Sequence, residues 1–144
     1  MSVDEVRSIN GRMIAGWNAQ DVEAVLDGVA DSIVWTEAGA EPLRGKDAFR
    51  QYLDGWFKAF PDFVARVVNE VVTEDTIAVE LLFGGTNTGP LELAPGAPAI
   101  PATGARADDV RGAYFMRVKD GKAAEVSAYP DNMGMLTQLG LMPE

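Results

Sequence analysis

The hydrophobic positions follow two periods, and the switch between them divides the chain. Val3, Val6, Ile9, Met13, Ile14 and Trp17 recur at three- and four-residue steps, which predicts an amphipathic helix over 3–17. Asn18 and Asp21 supply stop and N-cap chemistry, and Val22, Val25, Leu26 and Val29 predict a shorter second helix. Residues 32–37 are rich in β-formers, and 38–44, with Gly39 and Pro42, read as a loop. The clearest helix opens at Gly45-Lys46-Asp47. Phe49, Tyr52, Leu53, Trp56, Phe57 and Phe60 share one face of it, and Pro61 stops it. From Phe63 the period is two. Residues 63–74 and 76–86 read as antiparallel strands about a turn at Glu74-Asp75, and 110–119 and 122–129 as a second pair about Asp120-Gly121. Between the pairs, 87–107 is aperiodic and holds Pro90, Pro95, Pro98 and Pro101; a connection this long is usually functional or mobile.

Helices at one end and an antiparallel sheet at the other predict an α+β domain, with 1–144 as a single unit. A sheet curled around the aromatic helix makes a cone or α+β barrel with an apolar interior, and its open end is a pocket for a hydrophobic small molecule. The net charge of −10 argues against nucleic acid and anionic membrane as partners, because both reward clustered Lys and Arg. No apolar run approaches the roughly 20 residues that span a bilayer. The N-terminal Met-Ser-Val-Asp-Glu lacks the basic and apolar regions of a signal peptide. A chain without cysteine has no disulfide and no thiolate metal site, so a cytoplasmic location is expected.

Histidine is absent as well, which narrows the chemistry further. Proton transfer falls to carboxylates, Tyr or Lys. Asp131 ends the last strand just before a short apolar helix, and Tyr129, two residues earlier, shares its face. The same Asp131 suits the N-cap of a helix over 132–139, and both roles stay open. Trp35, Tyr52, Tyr114 and Asn87 are donor candidates for a developing oxyanion, and Arg111 could supply positive charge. Trp56, like Tyr52, could show a polar tip to the pocket. Arg111, Ala113 and Phe115 alternate with Val110, Tyr114 and Met116, so only one set can face inward. Glu37, two residues after Trp35, and Glu80, between Ala78 and Leu82, are either interior carboxylates pairing with Arg111 or surface groups. Asp108-Asp109 lacks a third ligand for a metal, and there is no phosphate loop or dinucleotide fingerprint. Neither a metal nor a cofactor is expected.

Several segments together resemble the SnoaL-like polyketide cyclases, whose cone-shaped fold is shared with ketosteroid isomerase and nuclear transport factor 2. They are Gly45-Lys-Asp-Ala-Phe-Arg50, Ala59-Phe-Pro-Asp62, Gly85-Thr-Asn-Thr-Gly-Pro90, Phe115-Met-Arg-Val-Lys-Asp-Gly-Lys122, and Asp131 with Gln138-Leu-Gly140. The resemblance implies a cofactor-independent enzyme that closes a carbon ring in a hydrophobic polyketide-type substrate. It gives Asp131 the acid/base role; by residue type and position, Arg111 and Tyr129 are the expected catalytic partners and Trp35, Tyr52, Trp56, Asn87, Tyr114 and Phe115 the expected substrate contacts. Asn87 stands where the family's Gly-Thr-His-Thr-Gly turn has histidine, so an aldol closure would rest on Asp131, or a cycloaddition-type closure on cavity shape. The alternatives are an isomerase like ketosteroid isomerase, an epoxide hydrolase with an Asp–Arg–Asp set, or a non-catalytic binding or dimerisation module. The fold also implies a homodimer through the outer face of the sheet.

Overall fold

The computed structural model describes residues 1–37, 39–93 and 97–142; Pro95 of the proline-rich connection lies outside them. The chain runs α1 (Val3–Asn18), α2 (Val22–Asp27), β1 (Val29–Glu37), β2 (Leu43–Arg44), α3 (Lys46–Ala59), β3 (Val64–Val72), β4 (Thr76–Thr86), β5 (Arg106–Lys119), β6 (Lys122–Pro130) and α4 (Asn132–Gln138). The expected elements are present. β1 begins three residues earlier than the β-rich run suggested, and the loop before α3 contains the short β2.

Local chemistry sets the helix ends. Ser2 caps α1 by accepting from the Glu5 amide while its hydroxyl donates to the Glu5 carboxylate. Asp21 caps α2 through the Ala24 amide. α3 has no side-chain cap; Gly45, at φ 90°, turns the chain into it and donates its amide to Ile33 O at 2.8 Å. Phe49, Leu53 and Phe57 bury the apolar stripe of α3, and each contributes about 1.5–3 kcal/mol of transfer free energy.

One six-stranded sheet is ordered β2-β1-β6-β5-β4-β3, with β1 parallel to β6 and every other pair antiparallel. Register shifts at Val29/Val34, Val67/Asn69, Phe83/Gly85 and Arg117/Val118 bend the strands. The result is a curved sheet that stays open, with β2 and β3 as its edges, so the expected cone is not a closed barrel.

Strand parity decides which side chains face the helices. Ile77, Val79 and Phe83 of β4, Val110, Tyr114 and Met116 of β5, and Val126 and Ala128 of β6 are buried on the concave face. Phe115 and Tyr129 therefore point to the convex face, where each is about half exposed. Their rings meet edge to face, with centroids 6.3 Å apart.

Candidate active site

The concave face encloses an aromatic cavity of about 100 Å³ between α1, α3 and the sheet. Trp17 of α1, Trp35 of β1 and Tyr52 and Trp56 of α3 line it, with Phe63, Phe83, Tyr114 and Met135. The rings hold one another. Trp35 lies 6.1 Å from Trp17 and 5.6 Å from Tyr52 between centroids, and Tyr52 stacks on Trp56 at 6.4 Å. Alternate residues of β1 face the core, so Ile33 and Trp35 are buried and Glu37, two residues on, reaches the same cavity.

Glu37 is the distinctive group in that wall. Its Oε1 accepts from Trp35 Nε1 at 3.1 Å and from the Tyr52 hydroxyl. Among the described residues Oε2 accepts no hydrogen bond, so one oxygen is anchored and the other is available to a ligand. Burial, and then the neighbouring Glu37 charge, push the Tyr52 phenol well above its ordinary value, so it stays a protonated donor to the carboxylate. Tyr114 is also raised, chiefly by burial, and its hydroxyl donates to Asn10 Oδ1. Both tyrosine hydroxyls are thus engaged within the protein.

These phenols give the fold an alkaline limit. A folded-state value above the unfolded one means that the native state holds more protons once pH exceeds about 10. The stability contributed is complete below that pH and is lost as pH rises toward the folded values. The urea midpoint should hold between pH 8 and 9 and fall steeply from pH 10 to 11; a flat profile to pH 11 would contradict the burial of these phenols.

The structure separates the residues that the sequence grouped. Trp35, Tyr52, Trp56 and Tyr114 line the cavity. Asp131 does not. Pro130 takes the inward parity of β6, so Asp131 falls outside, is exposed, and accepts from the Gly134 amide at 2.9 Å as the N-cap of α4. Tyr129 and Phe115 are on the convex face by the same parity, and Arg111 is exposed opposite Leu82. Arg111 pairs with neither Glu37 nor Glu80 among the described residues; Glu80 is exposed and accepts from Asn69 at 3.0 Å. Asn87 is buried and is not part of the aromatic cavity's lining; its side chain is spent on backbone groups. Asp108 and Asp109 are exposed, with Asp108 paired to Arg106, and no metal-binding cluster occurs among the described residues.

Of the two readings of Glu37, interior carboxylate or surface group, the structure places its side chain at the cavity. The available signal was the i, i+2, i+4 run Ile33-Trp35-Glu37, which carries an inward-facing apolar stripe onto a carboxylate. Its partner Tyr52 is fifteen residues away on a helix, and no local spacing links the two.

A family model, SnoaL-like polyketide cyclase, matches residues 7–139 of this chain. The chain belongs to that family. Among solved structures, this SnoaL-like protein is similar to TsrD from Streptomyces laurentii, at 22% identity over 99% of each chain with a TM-score of 0.83. It is also similar to IdmH from Streptomyces antibioticus, a candidate polyketide cyclase, at 25% identity over 93% of this chain and 97% of that one (TM-score 0.74). A protein with a ketosteroid isomerase-like fold from Catenulispora acidiphila, solved in complex with trimethylamine, is 16% identical over 93% of each chain (TM-score 0.73). No curated protein matches the sequence. No helix among the described residues is long and apolar enough to cross a membrane.

In this SnoaL-like chain the segments that carry the family likeness are joints of the fold. Asp62 accepts from the Thr86 amide at 2.7 Å and the Thr86 hydroxyl at 2.8 Å, fastening the end of α3 to the end of β4. Those bonds, with Arg106 nearby, hold its carboxyl below the usual range. Gln138 of α4 clamps Asp108 of β5, accepting from its amide at 2.7 Å and donating to its carbonyl at 2.9 Å.

Proposed function

We propose that this protein is a cyclase that closes a carbon ring within a hydrophobic polyketide-type chain, by an aldol reaction in the aromatic cavity. The observation that carries this reading is Glu37, a carboxylate held at one oxygen by Trp35 and Tyr52 and, among the described residues, unpartnered at the other, in a mostly aromatic wall that also includes Glu92 and Asn132. Glu37 Oε2 takes a proton from a carbon flanked by carbonyls. The resulting enolate carbon attacks a second carbonyl of the same chain, and the new alkoxide recovers the proton from Glu37. Nothing is gained or lost overall, and an enolate delocalised over two carbonyls forms without a metal or organic cofactor. The stacked rings contribute by folding the chain so that its ends meet.

The other readings fit the side chains less well. A steroid-isomerase-like site needs a free Tyr or acid donor for the oxyanion, whereas Tyr52 is committed to Glu37 and Tyr114 to Asn10. The Asp–Arg–Asp water-activating set is not assembled, because Arg111 and Asp131 are both outside the cavity. A blocked cone without an interior carboxylate, the mark of a purely binding module, is not what Glu37 offers. The direct test is incubation of the purified protein with a linear poly-β-ketone of defined length. A cyclised product of unchanged mass supports the assignment; product no faster than in buffer across a set of chain lengths overturns it.

The convex face supports a homodimer. Val64, Val68 and Val71 of β3 are exposed there with Phe115 and Tyr129, and Val71, Ala78, Phe115 and Ser127 lie in one row across four strands. An apolar sheet face of this kind is self-complementary under a two-fold axis. Phe115→Glu should convert the dimer to monomer in sedimentation velocity; wild type already sedimenting as a monomer at high micromolar concentration would refute the assignment.

A further inference from the structure

The aromatic cavity is small for a chain that must fold back on itself. Its volume is about 100 Å³, on the order of the roughly 150 Å³ of an apolar cavity that takes one small aromatic ring, so it has room for a single ring and not for a longer chain. A second cavity, of about 310 Å³, lies between the outer side of α3 and the Pro90–Glu92 segment. Tyr52, Trp56 and Glu92 belong to the walls of both. The second cavity is also more polar: Gln51, Lys58 and Glu92 stand beside Leu43 and Leu91. Its floor is fixed, because Leu91 and Ile100 exchange backbone hydrogen bonds at 2.9 and 2.7 Å.

The ring between the two cavities is held differently from its neighbours. Trp35 and Tyr52 are locked by Glu37. Among the described residues Trp56 Nε1 is buried with no acceptor, so packing rather than a hydrogen bond holds that indole. Such a donor is costly to leave unpaired, and a ring turned toward a ligand carbonyl recovers the lost hydrogen bond.

We propose that the two cavities form one bipartite substrate site, with Trp56 as the partition between them. The inner cavity takes the apolar, ring-forming end of an amphipathic chain. The outer cavity takes a neutral, hydrogen-bonding tail rich in hydroxyl or carbonyl groups, since Lys58 and Glu92 place opposite charges on its walls and favour neither sign. This inference rests on the inner cavity being the substrate site.

Gly55 allows a clean test. It lines the outer cavity, and a Cβ built there meets nothing within 4 Å, so a side chain can be started from that wall without a clash. Leucine also suits a helix interior better than glycine. Toluene, which fits the inner cavity alone, and 6-phenylhexan-1-ol, whose chain must leave it, would be titrated against wild type, Gly55→Ala and Gly55→Leu by tryptophan fluorescence and calorimetry. In Gly55→Leu the dissociation constant for 6-phenylhexan-1-ol should rise at least about tenfold, while that for toluene changes less than about twofold; Gly55→Ala should leave both within about twofold. If Gly55→Leu leaves both unchanged, or weakens both equally, the outer cavity is not part of the site and the proposal is wrong, with the cyclase reading untouched. Wild type that binds no toluene overturns both.

Discussion

Glu37→Gln should lower the rate of ring closure by roughly 10²- to 10⁴-fold, the usual contribution of a positioned general base. The substitution is nearly isosteric, and glutamine Oε1 can still accept from Trp35 and Tyr52, so the aromatic wall should survive. Only the basic oxygen is removed. Folding should be unchanged, with an unfolding midpoint within about 2 °C of wild type, and substrate affinity should change little, because the loss falls on kcat. Asp131→Asn is the informative partner. Asparagine caps a helix as well as aspartate does, so this variant should keep both its stability and its turnover within about twofold. The reverse outcome, a dead Asp131→Asn and an active Glu37→Gln, would return the acid/base role to the helix cap. A rate loss of less than about tenfold in both variants would mean that the shape of the cavity, and not proton transfer, drives the closure.

The contrast between these two carboxylates shows what the residue pattern could reveal. The periods of three to four and of two separated helices from strands, and Pro61 and Asp120-Gly121 marked a stop and a turn that the structure keeps. Those features are legible because backbone geometry and burial act on neighbouring residues. The segments resembling the family were legible for the same reason, and they turn out to be fasteners: Asp62 on Thr86, Gln138 on Asp108, Asp131 on α4. A fastener has a fixed local geometry, so it leaves a short, spaced signature. The proton-handling group proposed here has no such constraint. Glu37 needs only inward parity on β1 and a tyrosine brought to it by the packing of α3, a contact made by the tertiary fold. Parity also explains why Tyr129, Phe115 and Arg111 looked eligible. The alternation on β5 and β6 was visible, but which face closes over the helices depends on Tyr114 finding Asn10 of α1.

The second large effect concerns Asn87, whose substitution by alanine should destabilise the protein by roughly 3–5 kcal/mol and lower the unfolding midpoint by about 10 °C or more. Asn87 is wholly buried. Its Nδ2 donates to Gly89 O at 2.9 Å and to Ala59 O at 3.4 Å, and its Oδ1 accepts from the Thr103 amide at 3.0 Å. Alanine strands those groups away from water, and a buried, unsatisfied peptide group costs about 1–3 kcal/mol. Relaxation is hindered, because Gly89 sits so close to α3 that a Cβ there would lie 2.1 Å from Lys58 O. Asn87→Asp should be at least as damaging at neutral pH. It keeps the acceptor for Thr103 but turns a negative oxygen toward two carbonyls in a dry site. Its carboxyl is pushed toward the protonated form by burial, so the native state binds the extra proton and stability should recover as pH falls from 7 to 5. Thermal unfolding of both variants at pH 5 and pH 7 checks the argument. A Tm within about 3 °C of wild type for Asn87→Ala would show that the joint between α3, the end of β4 and the start of β5 is held by other means. That joint anchors both ends of the connection flanking the outer cavity, so the loss should also appear as faster hydrogen exchange at Leu91 and Ile100 before the sheet amides begin to exchange.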